Sequence, residues 1–131
     1  STILRLLKEK DEIRIVEDQQ GRPTFCADLA KVSLKLLTQK VCGIYHFANQ
    51  GVTSWHDFAK EIYQQAQEQG LCKSGKTIHP IPSKDFPTAA KRPAYSVLDS
   101  SKLETLLGAE LFRPWQDALY NYMTEHRKQV L

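Results

Sequence analysis

Four of the chain's six prolines, Pro80, Pro82, Pro87 and Pro93, fall in the stretch from Lys73 to Pro93. Each removes a backbone N–H and fixes φ near −65°, so no helix can pass through and no strand there can occupy the interior of a sheet. The Thr77-Ile-His-Pro-Ile81 core is therefore confined to a short edge strand inside an extended segment. Helices have to lie on either side of it.

Apolar spacing marks them. Ile3, Leu4, Leu6 and Leu7 give an amphipathic helix over the first nine residues. Glu12 to Glu17 alternates Ile13 and Ile15 with charged neighbours, the period of a half-buried strand, and Asp18 to Pro23 breaks it. A second helix is predicted from about Phe25 to Gln39, with Leu29, Val32, Leu36 and Leu37 on its buried stripe. Gly43-Ile-Tyr-His-Phe-Ala48 is apolar or aromatic on both faces and predicts a strand covered on both sides, with His46 a core or sheet-face histidine. Ser54-x-x-Asp57 approximates a capping box and starts a helix over about 54–69, stopped by Gly70. Ser100 or Ser101 can cap a short helix carrying Leu103, Leu106 and Leu107, closed by Gly108. Pro114 opens the last helix, with Trp115, Ala118, Leu119, Tyr122 and Met123 buried. Trp55, Phe58 and Trp115 are expected in the core. The fold class is thus mixed α/β, an α+β lobe of about five helices and three or four short strands.

Length and composition fit one domain. The 131 residues are 41% hydrophobic and 25% charged, the mix of a soluble globular chain. No apolar run approaches a bilayer span and no leader pattern opens the sequence, which predicts a cytoplasmic protein. Cys26, Cys42 and Cys72 contain no C-x-x-C pair and are expected to be reduced and structural. The net charge of +3 is spread over short basic groups, among them Arg127 and Lys128, without a continuous basic face, so nucleic-acid binding is not expected.

One nucleotide motif matches and fails on context. Gly70-Leu-Cys-Lys-Ser-Gly-Lys-Thr77 satisfies G-x-x-x-x-G-K-[ST], but a phosphate loop needs a strand before it and a helix after it to offer N–H groups to phosphate. Here a helix enters, and Ile-His-Pro-Ile-Pro leaves. A polar connecting loop is predicted instead. His46, His56, His79 and His126 have no metal-binding spacing; His56, beside Asp57, reads as a capping or surface side chain. G-x-S-x-G, G-x-G-x-x-G and Tyr-x-x-x-Lys are all absent from the chain.

Four segments in order resemble one family. Val16-Glu-Asp-Gln-Gln-Gly-Arg-Pro-Thr24, with Asp28-Leu-Ala30 after it, is similar to the D-Q-x-G-x-P-T and D-L-A block of dTDP-4-dehydrorhamnose reductases. Gly43 to Ala48 and Ser54-Trp-x-Asp-Phe-Ala59 resemble the next block, Ile81 to Leu103 the family's R-P-x-Y-S-x-L-D-x-S-K-L region, and Trp115 to Leu119 its C-terminal helix. The resemblance covers nearly the whole chain and concerns the C-terminal portion of the family only. It implies that residues 1–131 form a single substrate-binding lobe of a Rossmann-type extended short-chain dehydrogenase/reductase, whose N-terminal cofactor domain is not in this chain. The parent would use NADPH or NADH to reduce dTDP-4-dehydro-L-rhamnose to dTDP-L-rhamnose in the bacterial cytoplasm. The glycine fingerprint and catalytic Tyr/Lys pair belong to that other domain, so no catalytic or cofactor-binding residue is expected here and the isolated lobe should be inactive. Some relatives use magnesium at a dimer contact; the sequence offers no ligand set for it.

Arg92 is the leading candidate for the substrate's diphosphate. Its guanidinium can hold a phosphate bidentately, and Lys91-Arg-Pro93 restricts its backbone; the alternative is a surface arginine beside a lysine. Tyr95 and Ser96 follow it and could reach ribose or phosphate. Arg22 and Thr24 form a second loop that substrate could meet, or a strand-to-helix turn in which Pro23 sets the chain direction and Thr24 caps the helix. Asp28 is read as structural, its charge favouring the helix dipole. Partners would be the dTDP-sugar, the cofactor domain and a second copy of the chain, because strands near 12–17 and 43–48 would have lost neighbours from a larger sheet. A non-catalytic regulatory or binding module built on a reductase-like fold is the alternative.

Overall fold

The structure is a computed structural model, and it describes residues 2–86 and 88–130, with side chains through Glu125. Pro87 and the side chains of His126, Arg127 and Lys128 lie outside the described residues. Helix α1 (Thr2–Glu9) leads into β1 (Glu12–Val16) and the short β2 (Gln20–Gly21), then α2 (Cys26–Thr38). After an extended segment come β3 (Thr53–Ser54), α3 (Trp55–Glu68), β4 (Thr77–Ile81), α4 (Ser101–Leu107) and α5 (Trp115–Val130). Single 3₁₀ turns occupy Ser83–Asp85 and Ala109–Leu111.

β1 pairs in parallel with β4, Ile13 opposite Ile78 and Ile15 opposite Pro80. The proline-bearing strand is at an edge, as its missing N–H requires. β2 and β3 form a second, antiparallel pair, Gln20 opposite Ser54. The stretch Asp18–Pro23, expected only to break β1, thus also carries a strand. The loop rejected as a phosphate cradle joins α3 to β4, and Lys76 within it pairs with Asp11 at 2.7 Å.

Two apolar clusters hold these elements. Leu4, Leu7, Ile13, Ile62, Ala66, Trp115, Leu119 and Met123 bring α1, β1, α3 and α5 together. Fully burying a leucine such as Leu7 contributes about 1.5–3 kcal/mol, so this cluster is the main anchor of α1. Val32, Phe47, Leu103, Leu107 and Phe112 form the second cluster, which ties α2 and α4 to the extended segment; the Phe47 and Phe112 rings lie 5.2 Å apart.

α3 starts as its sequence requires. The Ser54 hydroxyl accepts the Asp57 N–H at 3.0 Å and donates to the Asp57 carboxylate at 2.9 Å. At α4 the cap differs from expectation: the Ser100 side chain makes no cap, and the Asp99 carboxylate accepts the Ser101 N–H at 2.9 Å. That contact holds the Asp99 carboxyl below its ordinary range. Leu103 and Leu107 are buried in the second cluster, whereas Leu106 is exposed.

Two expectations are corrected. Residues 43–48 form no strand, because the segment has no ladder partner among the described residues; its backbone is fastened instead just beyond, where the Gln50 N–H donates to the Arg113 carbonyl and the Trp115 N–H donates to the Gln50 carbonyl, both at 2.9 Å. Phe47 and Ala48 are buried, while Ile44 and His46 face solvent, so His46 is not a core histidine. In α2 the buried face is Asp28 and Val32, with Leu36 half-buried, and Leu29 and Leu37 are exposed. The helix is turned from its apolar stripe because Asp28 points inward to a buried ion pair.

Candidate functional site

Asp28 is 6% exposed, a burial a carboxylate tolerates only when fully engaged. Arg113 meets it with both arms of a fork, Nε to Oδ2 at 2.8 Å and Nη2 to Oδ1 at 2.9 Å. Asn49 Nδ2 donates to the same carboxylate at 2.8 Å, and Asn49 Oδ1 accepts the Phe25 N–H at 2.8 Å. Phe25, not Thr24 as expected, is the cap position of α2; no side chain caps the helix, and the Phe25 N–H is satisfied from across the fold by Asn49, which has no exposed surface. Arg113 also lies over the Phe25 ring, 5.6 Å from its centre.

Arg22 extends this knot. Its Nε donates to the Asn49 carbonyl at 2.9 Å, Nη1 to the Leu98 carbonyl at 3.0 Å and Nη2 to the Ala48 carbonyl at 3.4 Å. The guanidinium thus fixes the 20–25 loop against two other segments, the role of a structural turn residue. Ser96 belongs to the same clamp: its N–H donates to the Gln20 carbonyl at 2.9 Å, and its hydroxyl donates to it at 3.1 Å. Gly21 lies under it, where a Cβ would stand 3.3 Å from that hydroxyl.

These supports border a cleft of about 1030 Å³ between α1, β1, the start of α2, α3, α5 and the segment from Phe86 to Arg92. Buried Ile62, Trp115, Leu119 and Met123 line its inner side, and exposed Trp55, Phe86, Thr88 and Arg92 line its opening. A smaller hollow of about 330 Å³ adjoins it, lined by Arg22, Ser54 and Ser96 among others. Thr24, Gln19, Pro23, Trp55 and Phe58 line both. Of the five residues expected to meet substrate, Arg92 and Thr24 therefore share the large cleft, while Arg22, Thr24 and Ser96 share the small one. Tyr95 is 63% exposed and lines neither.

The segment carrying Arg92 is pinned near both ends. At one, Asp18 accepts the Ser83 N–H at 3.0 Å and Gln19 Nε2 donates to the Ser83 hydroxyl at 2.8 Å. The hydroxyl and N–H of Ser83 hold the Asp18 carboxyl below its ordinary range. At the other, the Gln20 N–H donates to the Ala94 carbonyl at 2.8 Å. Between them Arg92 makes no hydrogen bond or ion pair among the described residues. The chain has three Arg-Pro pairs, at Arg22, Arg92 and Arg113. Two of these guanidiniums are filled by carbonyls or by Asp28; the third lines the cleft with its donors open.

Sequence reasoning missed Asn49, Arg113 and the exposure of Trp55. Arg113 carried the same Arg-Pro signal as Arg92, whereas nothing local marks Asn49. Helical spacing places Trp55 in the core, yet in the first turn of α3 it is 52% exposed and lines the cleft.

The fold is an α/β lobe whose large, mostly apolar cleft has an exposed arginine, Arg92, among its lining residues. The chain belongs to the family described as RmlD substrate binding domain, whose model matches residues 1–128. It is 37% identical over 126 residues to a dTDP-4-dehydrorhamnose reductase of Aggregatibacter actinomycetemcomitans, which covers 92% of this chain and 42% of that protein. It is also 37% identical over 124 residues to the spore coat polysaccharide biosynthesis protein SpsK of Bacillus subtilis, covering 95% of this chain and 41% of that one. Among solved structures, a dTDP-4-dehydrorhamnose reductase of Clostridium acetobutylicum superposes with a TM-score of 0.85 at 37% identity, over 96% of this chain and 42% of that one. The Bacillus anthracis reductase, solved in complex with NADP, gives a TM-score of 0.84 at 36% identity, over 95% and 42%. The chain thus spans about two fifths of the length of these relatives.

The residues present do not form a dinucleotide cradle. Neither strand of the parallel pair runs through a glycine-rich turn into a helix: β1 leads to β2, and β4 leads to a 3₁₀ turn. No hydride-transfer step is therefore assigned to these residues. Among the described residues no group of three or more His, Cys, Asp or Glu side chains could hold a metal ion, and no helix is long and apolar enough to cross a membrane.

Proposed function

We propose that this chain is the sugar-nucleotide-binding lobe of a dTDP-4-dehydrorhamnose reductase, and that the large cleft receives a dTDP-sugar whose 4-keto group the whole enzyme reduces to an alcohol. The observation that carries this reading is the open guanidinium of Arg92 at the mouth of the cleft, in a chain whose other two Arg-Pro guanidiniums are engaged. A diphosphate supplies the acceptors that Arg92 lacks, and the fork geometry suits it. Thr24, which lines the same cleft, offers a hydroxyl. Ser96 faces the small hollow that adjoins the cleft, Tyr95 is the exposed residue before it and lines neither space, and Arg22 holds the loop that presents Thr24. The nicotinamide cofactor, and the groups that protonate the reduced carbonyl, are supplied by residues outside these 131.

The work belongs in the bacterial cytoplasm, where nucleotide sugars and reduced nicotinamide are available. A second copy of the chain is a further partner: β1 and β4 form a pair with open outer edges, and Leu34, Leu37 and Ile44 are exposed apolar side chains. Light scattering should show mass rising above that of a monomer with concentration, and a constant monomer mass contradicts self-association. For the ligand, calorimetric titration should show dTDP binding that weakens at least about tenfold in Arg92→Ala, the size expected for losing a charge-assisted pair. Equal affinity in the variant would remove Arg92 from the site.

A further inference from the structure

Residues 17–20 hold both ends of one loop. The Glu17 N–H donates to the Ile81 carbonyl at 3.0 Å, and beside it the Asp18 carboxylate accepts both the N–H and the hydroxyl of Ser83. Gln19 Nε2 donates to the same hydroxyl at 2.8 Å. At the far end the Gln20 N–H donates to the Ala94 carbonyl at 2.8 Å, and the Gln20 carbonyl accepts the Ser96 N–H at 2.9 Å. Residues 83–94 thus leave and return at one short stretch of chain, the form of an Ω-loop, and Phe86, Thr88 and Arg92 within it line the cleft.

The two ends are held differently. The Gln20 end rests chiefly on main-chain groups, whereas the Ser83 end depends on the side chains of Asp18, Gln19 and Ser83. Asp18 is exposed and lines neither the cleft nor the small hollow, and its carboxylate is turned to Ser83. A loop fixed at both ends keeps a cleft-facing side chain near one placement before ligand arrives, and this pre-organisation raises affinity by lowering the cost of ordering.

We propose that Asp18 is a positioning residue for ligand binding: through Ser83 it sets the loop that carries Arg92, so the affinity of the cleft for a nucleoside diphosphate depends on a carboxylate outside it. This rests on the sugar-nucleotide reading above and adds to it the residue that presents its guanidinium.

Removing a carboxylate that is merely nearby strengthens the binding of an anion, whereas loss of positioning has the opposite sign. In calorimetric titration of the chain, Asp18→Ala should bind dTDP about fivefold more weakly, the scale of one side chain that ligand must newly immobilise. In an Arg92→Ala background the same change should alter dTDP affinity by less than about twofold, because the group through which Asp18 acts is gone. Ser83→Ala removes the hydroxyl from Asp18 and Gln19 and keeps the Ser83 N–H; it should give a smaller loss of the same sign, again confined to the background that has Arg92, and it decides the question even if Asp18→Ala folds poorly. If the two variants bind dTDP as tightly as wild type or more tightly, or weaken it equally in both backgrounds, the positioning role is overturned while the substrate reading stands. If wild type does not bind dTDP, the substrate reading falls and this inference with it.

Discussion

The Asp28–Asn49–Arg113 knot and the Phe86–Tyr95 segment both present polar side chains near the same cleft, and they treat them in opposite ways. In the knot both Asp28 oxygens and both ends of the Asn49 amide meet partners inside the protein, across 85 residues of sequence in the case of Arg113 and Asp28. In the segment the backbone is fastened near its ends, while Arg92 between them makes no hydrogen bond or ion pair among the described residues. Satisfied buried charge fixes the relative position of elements; unsatisfied exposed charge is available to a ligand. The same Arg-Pro dipeptide serves both purposes, and what separates them is the environment each guanidinium reaches.

That contrast can be broken from the knot first. Arg113→Ala leaves a buried carboxylate with one neutral donor and should cost about 3 kcal/mol or more, read as a lowered urea midpoint with unchanged slope. Asn49→Ala should cost on the order of 1–3 kcal/mol, since it leaves the Phe25 N–H without its acceptor and removes one donor from Asp28. Arg92→Ala should change stability by less than about 0.5 kcal/mol while removing dTDP affinity. An Arg92→Ala variant that unfolds like Arg113→Ala would erase the distinction.

Acid sharpens the comparison on a smaller scale. Asp18 and Asp99 are held below the ordinary carboxylate value of 3.8 in the folded chain by Ser83 and Ser101. Their contribution is thus fully present above about that value and is lost as pH falls through the lower folded values. Urea midpoints should be flat with respect to these groups near neutrality and fall below about pH 4, and Asp18→Asn should reduce the slope of that fall. Because Asp18 pins the start of the Arg92 segment and not the knot, Asp18→Asn should loosen hydrogen exchange near Ser83 before it affects α2.

Much of the fold was legible in the chain. α1, α3 and α5 were visible because each buries one amphipathic stripe, and β4 because Pro80 permits only an edge. The strand expected at 43–48 was not found, since an apolar segment becomes a strand only when another backbone lies beside it, and local sequence does not encode that neighbour. The face of α2 was misread for a related reason: Leu29 and Leu37 obey helical spacing, but the carboxylate of Asp28 and a fork arriving from Arg113 decide the rotation. Of the residues expected to meet substrate, Arg92 and Thr24 line one cleft. Asn49 and Trp55 were not anticipated, because a buried amide and an exposed indole are both placements that composition and periodicity argue against.

The central claim is that Arg92 serves ligand and not fold, and the melting temperature with and without dTDP tests it most directly. Wild type and Arg92→Ala should melt together without ligand; the same dTDP concentration should raise the wild-type value clearly more than the variant's, since stabilisation follows occupancy. Equal shifts in both proteins would contradict the account.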